Sequence, residues 1–444
     1  MCIRRFRQRR SFLLWKELIN KIGRVKRVIL QMNVLYYLRQ FPKLSEAFIL
    51  NEIYTLEQRG HNVAVFAIES PDEPFTHDEF DDLDVPVRYA NVPKLVGAPI
   101  PFVSAFAAHP NREAVSPNVG LKTNAGNIIW TKECCDFLDH LEWDVDCIHS
   151  HFATPYSLPC AYLSTHYDVP FVLTTHAHDI FREPVGEYTD ELLDSADRVV
   201  TISEYNREYM RDRFAFETPI DVVHAGIRPD KFKTSGSARD QRVLTVARLH
   251  EKKGYKTALE AIAIVAQDVP NVEYRIVGSG SQREELTRLV STLGIEENVT
   301  FLNNVSDTKL LAELDRARCF LLPSVVTESG ERDGIPVSLM EAMAMQTPPV
   351  TTSTSGIPEL VEHGENGLLT APRDPEATAE SVLRLLSDDA EWRELSRRAR
   401  ETILEEFNVQ TQVEGLLSAF DAARYTRGSG RESAKTSDSN VVTK

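Results

Sequence analysis

The sequence predicts an α/β protein made of two open, parallel-sheet domains in tandem. Three observations carry this reading. Short, near-continuous apolar runs alternate with helical patterns, as strands covered on both faces require. The alternation pauses over residues 226–241, a stretch bearing Gly, Pro and Ser, and then restarts. A length of 444 residues also leaves room for two domains of ~100–200 residues each.

The elements follow in order. Residues 34–38 form the first strand and residues 39–45 a loop. A helix follows whose apolar face carries Phe48, Ile49, Ile53 and Leu56, with Ser45 as N-cap and Glu46 as a first-turn acid. Gly60 ends it, and residues 63–68 form a second buried strand. Residues 70–130, rich in proline and weak in periodicity, read as irregular. Strands are then expected at 147–149, 171–174, 198–202 and 220–223, giving a first domain over residues 32–225. Beyond the linker at 226–241, strands at 242–247, 273–277, 299–302, 319–322 and 349–352 alternate with helices. A last helix over about 388–425 completes a second domain, residues 242–425. Residues 426–444 are polar and read as a disordered tail.

Fifty basic and 66 acidic side chains give a net charge of −16. Residues 1–27 hold ten Lys or Arg and one Glu, a +9 segment that leaves −25 on the rest. A body this acidic repels phosphates over most of its surface, so nucleic acid is not an expected partner. Two readings stand for the basic extension, residues 1–31. One is an amphipathic helix with Leu14, Leu18, Ile22 and Val25 on one face, held on an anionic membrane at the inner face of the cell. The other is a solvated extension ahead of a start at Met32. The extension lacks the apolar run and cleavage site of a secretion signal. No stretch reaches ~18 uninterrupted apolar residues, so no membrane span is expected. The six cysteines form no C-x-x-C pair, which fits reduced thiols in a cytoplasmic protein.

Open α/β sheets bind ligands beyond the carboxyl ends of their strands, so the loops there hold the candidate chemistry. The strand at 242–247 runs into Arg248 and Lys253, a fork donor and a point charge suited to a diphosphate; a solvated basic turn is the plain alternative. Gly278 and Gly280 follow the next strand. Arg283 stands where a dinucleotide fingerprint needs its third glycine, which disfavours nicotinamide chemistry and leaves a tight turn. Pro336 fits the first position of a helix. The opening amides around Ile335, Val337 and Ser338 then suit an anion. Asp333 lies at the mouth of that helix and Glu341 a turn and a half into it, placed to grip hydroxyls on either side of a diphosphate. An acid-rich surface loop, with Glu328 and Glu331, is the alternative. In the first half, His149, His151, His176 and His178 follow two strands, but no cysteine or carboxylate completes a familiar ligand spacing, so no metal site is expected. Asp144-Val145-Asp146 has a D-x-D form yet precedes a strand, which fits a solvated turn.

Together these segments resemble the retaining glycosyltransferases of family 4 (glycosyl transferases group 1) over about residues 32–425, and within them the branch making exopolysaccharides and cell-surface glycans. The likeness rests on Asp333 and Glu341, whose spacing matches the family's acid pair although its first acid is usually Glu. It also rests on Arg248 with Lys253, on Gly278 with Gly280, and on Ser355-Gly356-Ile357-Pro358-Glu359 followed by Asn366-Gly367-Leu368-Leu369. It implies the GT-B fold, two Rossmann-like domains facing across a cleft. Residues 242–425 would then hold the nucleotide sugar, with Arg248 and Lys253 on the diphosphate, Glu341 on the ribose and Asp333 on the donor sugar. Residues 32–225 would form the acceptor side, with His176 in the cleft and Lys43, Ser45 and Glu46 in an acceptor-side loop. The implied reaction moves a sugar from a nucleoside diphosphate to a hydroxyl of a glycan or lipid-linked acceptor, with retention, without metal, and with no cofactor beyond the nucleotide sugar. A sugar-nucleotide epimerase of the same fold and a non-catalytic nucleotide-sugar-binding module are the rival readings.

Overall fold

Two parallel sheets organise the computed structural model, which describes residues 31–71, 77–91, 114–181, 186 and 188–438. The first holds β1 (Asn33–Gln40), β2 (Asn62–Glu69), β3 (Val87–Tyr89), β4 (Cys147–His151), β5 (Phe171–Thr175), β6 (Arg198–Thr201) and β7 (Ile220–Val222), in the order β3-β2-β1-β4-β5-β6-β7. The second holds β8 (Arg242–Val246), β9 (Glu273–Val277), β10 (Val299–Leu302), β11 (Cys319–Leu322), β12 (Pro349–Thr352) and β13 (Leu368–Thr370), in the order β10-β9-β8-β11-β12-β13. Every pairing is parallel. Composition explains this. Val34 to Leu38 in β1 and all of β11 are buried, so both faces of these strands need cover, which crossover helices supply. The strand order reverses between β1 and β4 and between β8 and β11, where the loops diverge and leave a crevice.

The expected strands are present. Edge strands β3 and β13 add to them; three residues each are too few to show periodicity. The stretch expected to be irregular contains β3 and the start of the helix Leu121–Leu138. That helix buries Gly126 and Asn127, whose side-chain amide donates to the Pro155 carbonyl at 2.9 Å, and these substitutions blunt its apolar stripe.

The chain crosses between the sheets at Gly226–Ile227 and returns at Phe407–Val409. The crossings brace each other: Ile227 N donates to Phe407 O at 3.1 Å, and Val409 N to Ile227 O at 2.9 Å. This corrects the expected last helix. It is two helices, Asp389–Glu406 and Val409–Asp438, and the second packs on the first sheet rather than the second. Its buried Val413, Leu416, Leu417 and Phe420 explain the docking; the Phe420 ring meets His149 edge-on at 5.1 Å. The expected disordered tail is also helical as far as Asp438. Arg427 anchors it to Asp197 at 2.9 Å and to the Ser164 hydroxyl at 2.8 Å, and extending a helix costs less than starting one. Residues 439–444 and the membrane helix expected at 1–27 lie outside the described residues. Among the described residues no helix is long and apolar enough to cross a membrane.

Replacing Phe420 by Ala should lower unfolding stability by about 3–5 kcal/mol in a denaturant titration. A loss under about 1 kcal/mol would show that the last helix is not docked as described.

Candidate active site

The second sheet positions the site through two loops. After β8 the chain passes Arg248, forms the short turn Glu251–Lys253, and enters the helix Tyr255–Asp268 at Gly254. The Gly278-Ser279-Gly280 turn after β9 lies directly against this loop, with Leu249 N donating to Ser279 O at 2.8 Å. A Cβ on Gly278 would fall 2.1 Å from Ala247 O, and one on Gly280 2.4 Å from Leu249 O; their φ angles are +136° and +158°. Only glycine lets the two loops touch, and that contact sets where Arg248 stands.

After β11 the chain runs from Pro323 to the helix Val337–Ala344. Pro336 is the N-cap, with φ −65° and ψ 124°, not the first helical residue; the fixed proline φ suits either position. The opening amides of Val337 and Ser338 have no carbonyl one turn back. Asp333 is buried, and the Lys253 ammonium donates to both its oxygens at 2.9 Å. Lys252 approaches at 3.2 Å, and Ser324 Oγ donates at 3.0 Å. Burial would raise the Asp333 pKa, but the two lysines bring it down to about 2. Burial in turn lowers the Lys253 pKa, against the pull of Asp333. Arg248 is exposed; its carbonyl accepts His250 N at 2.8 Å, and its guanidinium makes no hydrogen bond or ion pair among the described residues. It lines a pocket of about 360 Å³ with His250, Lys252, Glu331 and Arg332 from this side and Ala177 and His178 from the end of β5. The loops thus gather Arg248, Lys252 and Lys253 near the buried carboxylate of Asp333, with Glu331, 3.5 Å from His250, as a second carboxylate at the pocket, so cationic side chains outnumber acids there.

The structure separates other expected partners. Glu341 faces a different pocket, with His77, Glu79, Lys231 and Asp307. Burial raises its pKa to about 7, against His77 and Lys231. His176 lies in a third pocket, closed by Val409, Val413 and Leu416 of the last helix. Its ring packs against Phe48 at 4.7 Å and Phe152 at 4.5 Å, and burial, with His151 beside it, holds its pKa well below the ordinary value. Asp179 accepts the amides of Ala153 at 2.6 Å and His176 at 2.8 Å, clamping the loop after β4 to the loop after β5. Lys43 and Glu46 form an ion pair at 2.5 Å. Ser45 is exposed within the turn Leu44–Glu46 and does not cap; Glu46 holds the N-cap position of the helix Ala47–Gln58, because that extra turn precedes the helix. Asp146 is no solvated turn residue: it accepts Asn33 N at 3.0 Å and pairs with Arg424 at 3.3 Å, fastening the amino end of β1.

Sequence reasoning missed three contributors. Lys252 shares Asp333. Arg332 docks in an aromatic box of the first lobe, donating to Tyr205 Oη at 2.8 Å with its guanidinium 4.9 Å from the Phe181 ring and 5.5 Å from Tyr209. The spacing of Tyr205 and Tyr209, four apart on one helix face, is the available signal. Glu52, remote in sequence, reaches the histidines of β4 and supplies the carboxylate that no local spacing offers.

Asp333→Asn tests the charge arrangement. A carboxylate with a folded pKa of about 2 contributes stability that is fully present above its unfolded pKa of about 3.9 and is lost as pH falls towards 2. The variant should be less stable at pH 7 by on the order of 2–3 kcal/mol, with the gap closing near pH 2–3. A gap independent of pH would reject the pairing.

Two family models match the chain: "Glycosyltransferase Family 4" over residues 45–231 and "Glycosyl transferases group 1" over residues 227–402. The WcaL protein of Escherichia coli, assigned to colanic acid biosynthesis as a glycosyltransferase, is 29% identical over 408 residues, covering 88% of this chain and all of WcaL. The amylovoran biosynthesis glycosyltransferase AmsK of Erwinia amylovora is 39% identical over 194 residues, 43% of this chain and 47% of AmsK. Among solved structures, HepE of Anabaena in complex with UDP and glucose superposes with a TM-score of 0.67 at 19% identity, covering 88% of this chain and all of HepE. A sucrose-phosphate synthase of Thermosynechococcus elongatus gives the same TM-score of 0.67, identity of 19% and coverage. The shared architecture is the GT-B fold. With two matching models that run in succession from residue 45 to residue 402 on that fold, this chain belongs to the family 4, group 1 glycosyltransferases.

Proposed function

We propose that this glycosyltransferase moves a sugar from a nucleoside-diphosphate donor to a hydroxyl of a glycan or lipid-linked acceptor, with retention at the anomeric carbon, in the synthesis of an exopolysaccharide or other surface glycan. The observation that carries the reading is the cluster of Arg248, Lys252, Lys253 and Arg332 at one strand edge, which outnumbers the carboxylates of Asp333 and Glu331. Relatives named for colanic acid and amylovoran biosynthesis support the product class, and the HepE complex with UDP and glucose supports the donor class. These relatives are transferases, which disfavours the epimerase and the binding-module readings.

The hard step is the build-up of negative charge on the leaving diphosphate. Arg248, Lys253 and the opening amides of the helix Val337–Ala344 supply fixed positive charge for it, with no resident cofactor. In the ligand-free protein Asp333 keeps Lys253 in position. An arriving diphosphate competes for that ammonium, which frees the Asp333 oxygens to meet hydroxyls of the donor sugar. Glu341 takes the ribose hydroxyls, and the Gly278–Gly280 turn lets backbone come close to the nucleotide. The first lobe supplies the acceptor side through His176 and the loop of Lys43, Ser45 and Glu46. The departing phosphate takes the acceptor proton as the hydroxyl attacks from the same face. Contact between the lobes keeps water from the donor.

Assaying transfer with a panel of nucleotide sugars and an acceptor-glycan mixture tests the reading. Glycoside should form with at least one donor, and Arg248→Ala should lower turnover by about 100-fold or more. An unchanged rate would remove Arg248 from leaving-group stabilisation, and an epimerised donor without glycoside would overturn the transferase reading. Since Glu341 is protonated below a pKa of about 7, donor affinity should rise roughly tenfold from pH 6 to pH 8 as its carboxylate forms. Glu341→Gln should flatten that rise; an identical slope in the variant would deny Glu341 the ribose.

A further inference from the structure

We propose that His149, His151 and Glu52 form a binding site for a divalent cation of the zinc class at the carboxyl end of β4. Alternation along a strand puts residues two apart on one face, so both imidazoles of His149-Ser150-His151 point the same way. The helix Ala47–Gln58 covers that face and brings Glu52 between them. Glu52 Oε1 lies 3.4 Å from His149 Nδ1 and 3.3 Å from His151 Nε2. These separations match the edge of a tetrahedron with metal–ligand bonds of about 2.0–2.1 Å, which is about 3.3–3.4 Å. All three donor atoms lie within 4.8 Å of one another.

The remaining atoms of the three side chains are held as an outer layer would hold them. His149 Nε2 meets Thr174 Oγ1 at 2.8 Å, and His151 Nδ1 meets His176 Nε2 at 3.0 Å. Tyr36 Oη donates to Glu52 Oε1 at 2.5 Å. Partners of this kind fix which ring nitrogen faces a metal. His149 Nδ1, in a fully buried side chain, has no hydrogen-bond partner. That buried nitrogen has only Glu52 Oε1 near it, at 3.4 Å, and a buried polar atom without a hydrogen bond is costly. Two imidazoles and a carboxylate are donors that suit zinc better than magnesium or calcium. The second candidate cluster, His77, Glu79 and Asp307, differs because a cation is already built in: the Lys231 ammonium lies 2.6 Å from Asp307 and 2.9 Å from Glu79.

The ion sits on the first lobe, away from the lobe of Arg248 and Lys253, and plays no part in leaving-group stabilisation. Bound to His151 Nε2, it leaves the proton on Nδ1, so His151 donates to His176. The site therefore sets the tautomer of the histidine that lines the adjoining pocket.

Metal analysis of the full chain, purified without a histidine tag and without chelator, is the direct test. About one Zn²⁺ per chain is expected, and Co²⁺ substitution should give the intense visible bands of a tetrahedral site. Thr174→Val, which touches only the outer layer, should weaken Zn²⁺ affinity by about 10–100-fold. Less than about 0.1 Zn²⁺ per chain, with no rise in melting temperature on adding ZnCl₂, would leave only a metal-free hydrogen-bond network and overturn the proposal. Full zinc content in a folded His149→Gln/His151→Gln variant would place the ion elsewhere and overturn it equally.

Discussion

Lys253 and Asp333 stand 80 residues apart in sequence and share a buried ion pair that the loops after β8 and β11 depend on. A buried charge without a partner is among the most costly features a fold can carry. The pair therefore holds the loop after β8 to the loop after β11 across the point where the strand order reverses. Lys252 reinforces it twice, through Asp333 and through its carbonyl, which accepts Val325 N at 2.9 Å. The outcome is a strand edge where Arg248 faces open space and the positive charge is only partly neutralised. That imbalance costs stability and is what an anionic ligand can relieve.

The same region fastens the lobes together. Arg332, next to Asp333 in the chain, inserts into aromatic side chains of the first lobe, so the loop that carries the buried carboxylate also carries a contact between lobes. A second fastening comes from Glu359, which accepts the amides of Glu204 and Tyr205 at 2.9 Å each. Burial opposes its ionisation, but His224 and these amides keep its pKa low. The carboxylate thus meets the positive end of the helix Glu204–Arg213, where it is electrostatically favoured. The paired crossings at Ile227 and Phe407–Val409 join the lobes again, as do His77 with Asp307 at 3.3 Å and Lys231 between Glu79 and Asp307.

Much of this is legible in the amino-acid sequence. The β/α rhythm, the linker and the order of the main strands follow from apolar runs, because burial on both faces writes itself into consecutive residues. Arg248, Lys253, Gly278 and Gly280 were legible as loop residues after strands, and the last two carry the backbone geometry that only glycine tolerates. What escaped has equally physical causes. The strands β3 and β13 are too short for a period. The helix Leu121–Leu138 buries an asparagine and a glycine where a pattern needs apolar side chains. The last helix has an apolar face, but a face does not say which sheet it covers.

The sequence by itself determined which segments become strands and helices and which loops carry cations and acids, since those properties depend on neighbours within a few residues. Tertiary structure alone decided the pairings. It engaged Asp333 with two lysines, sent Glu341 and His176 to pockets of their own, and brought Glu52 from a distant helix to the histidines of β4. Electrostatic and hydrogen-bond partners act through space over a few ångströms, and no local pattern records which distant residue will arrive there.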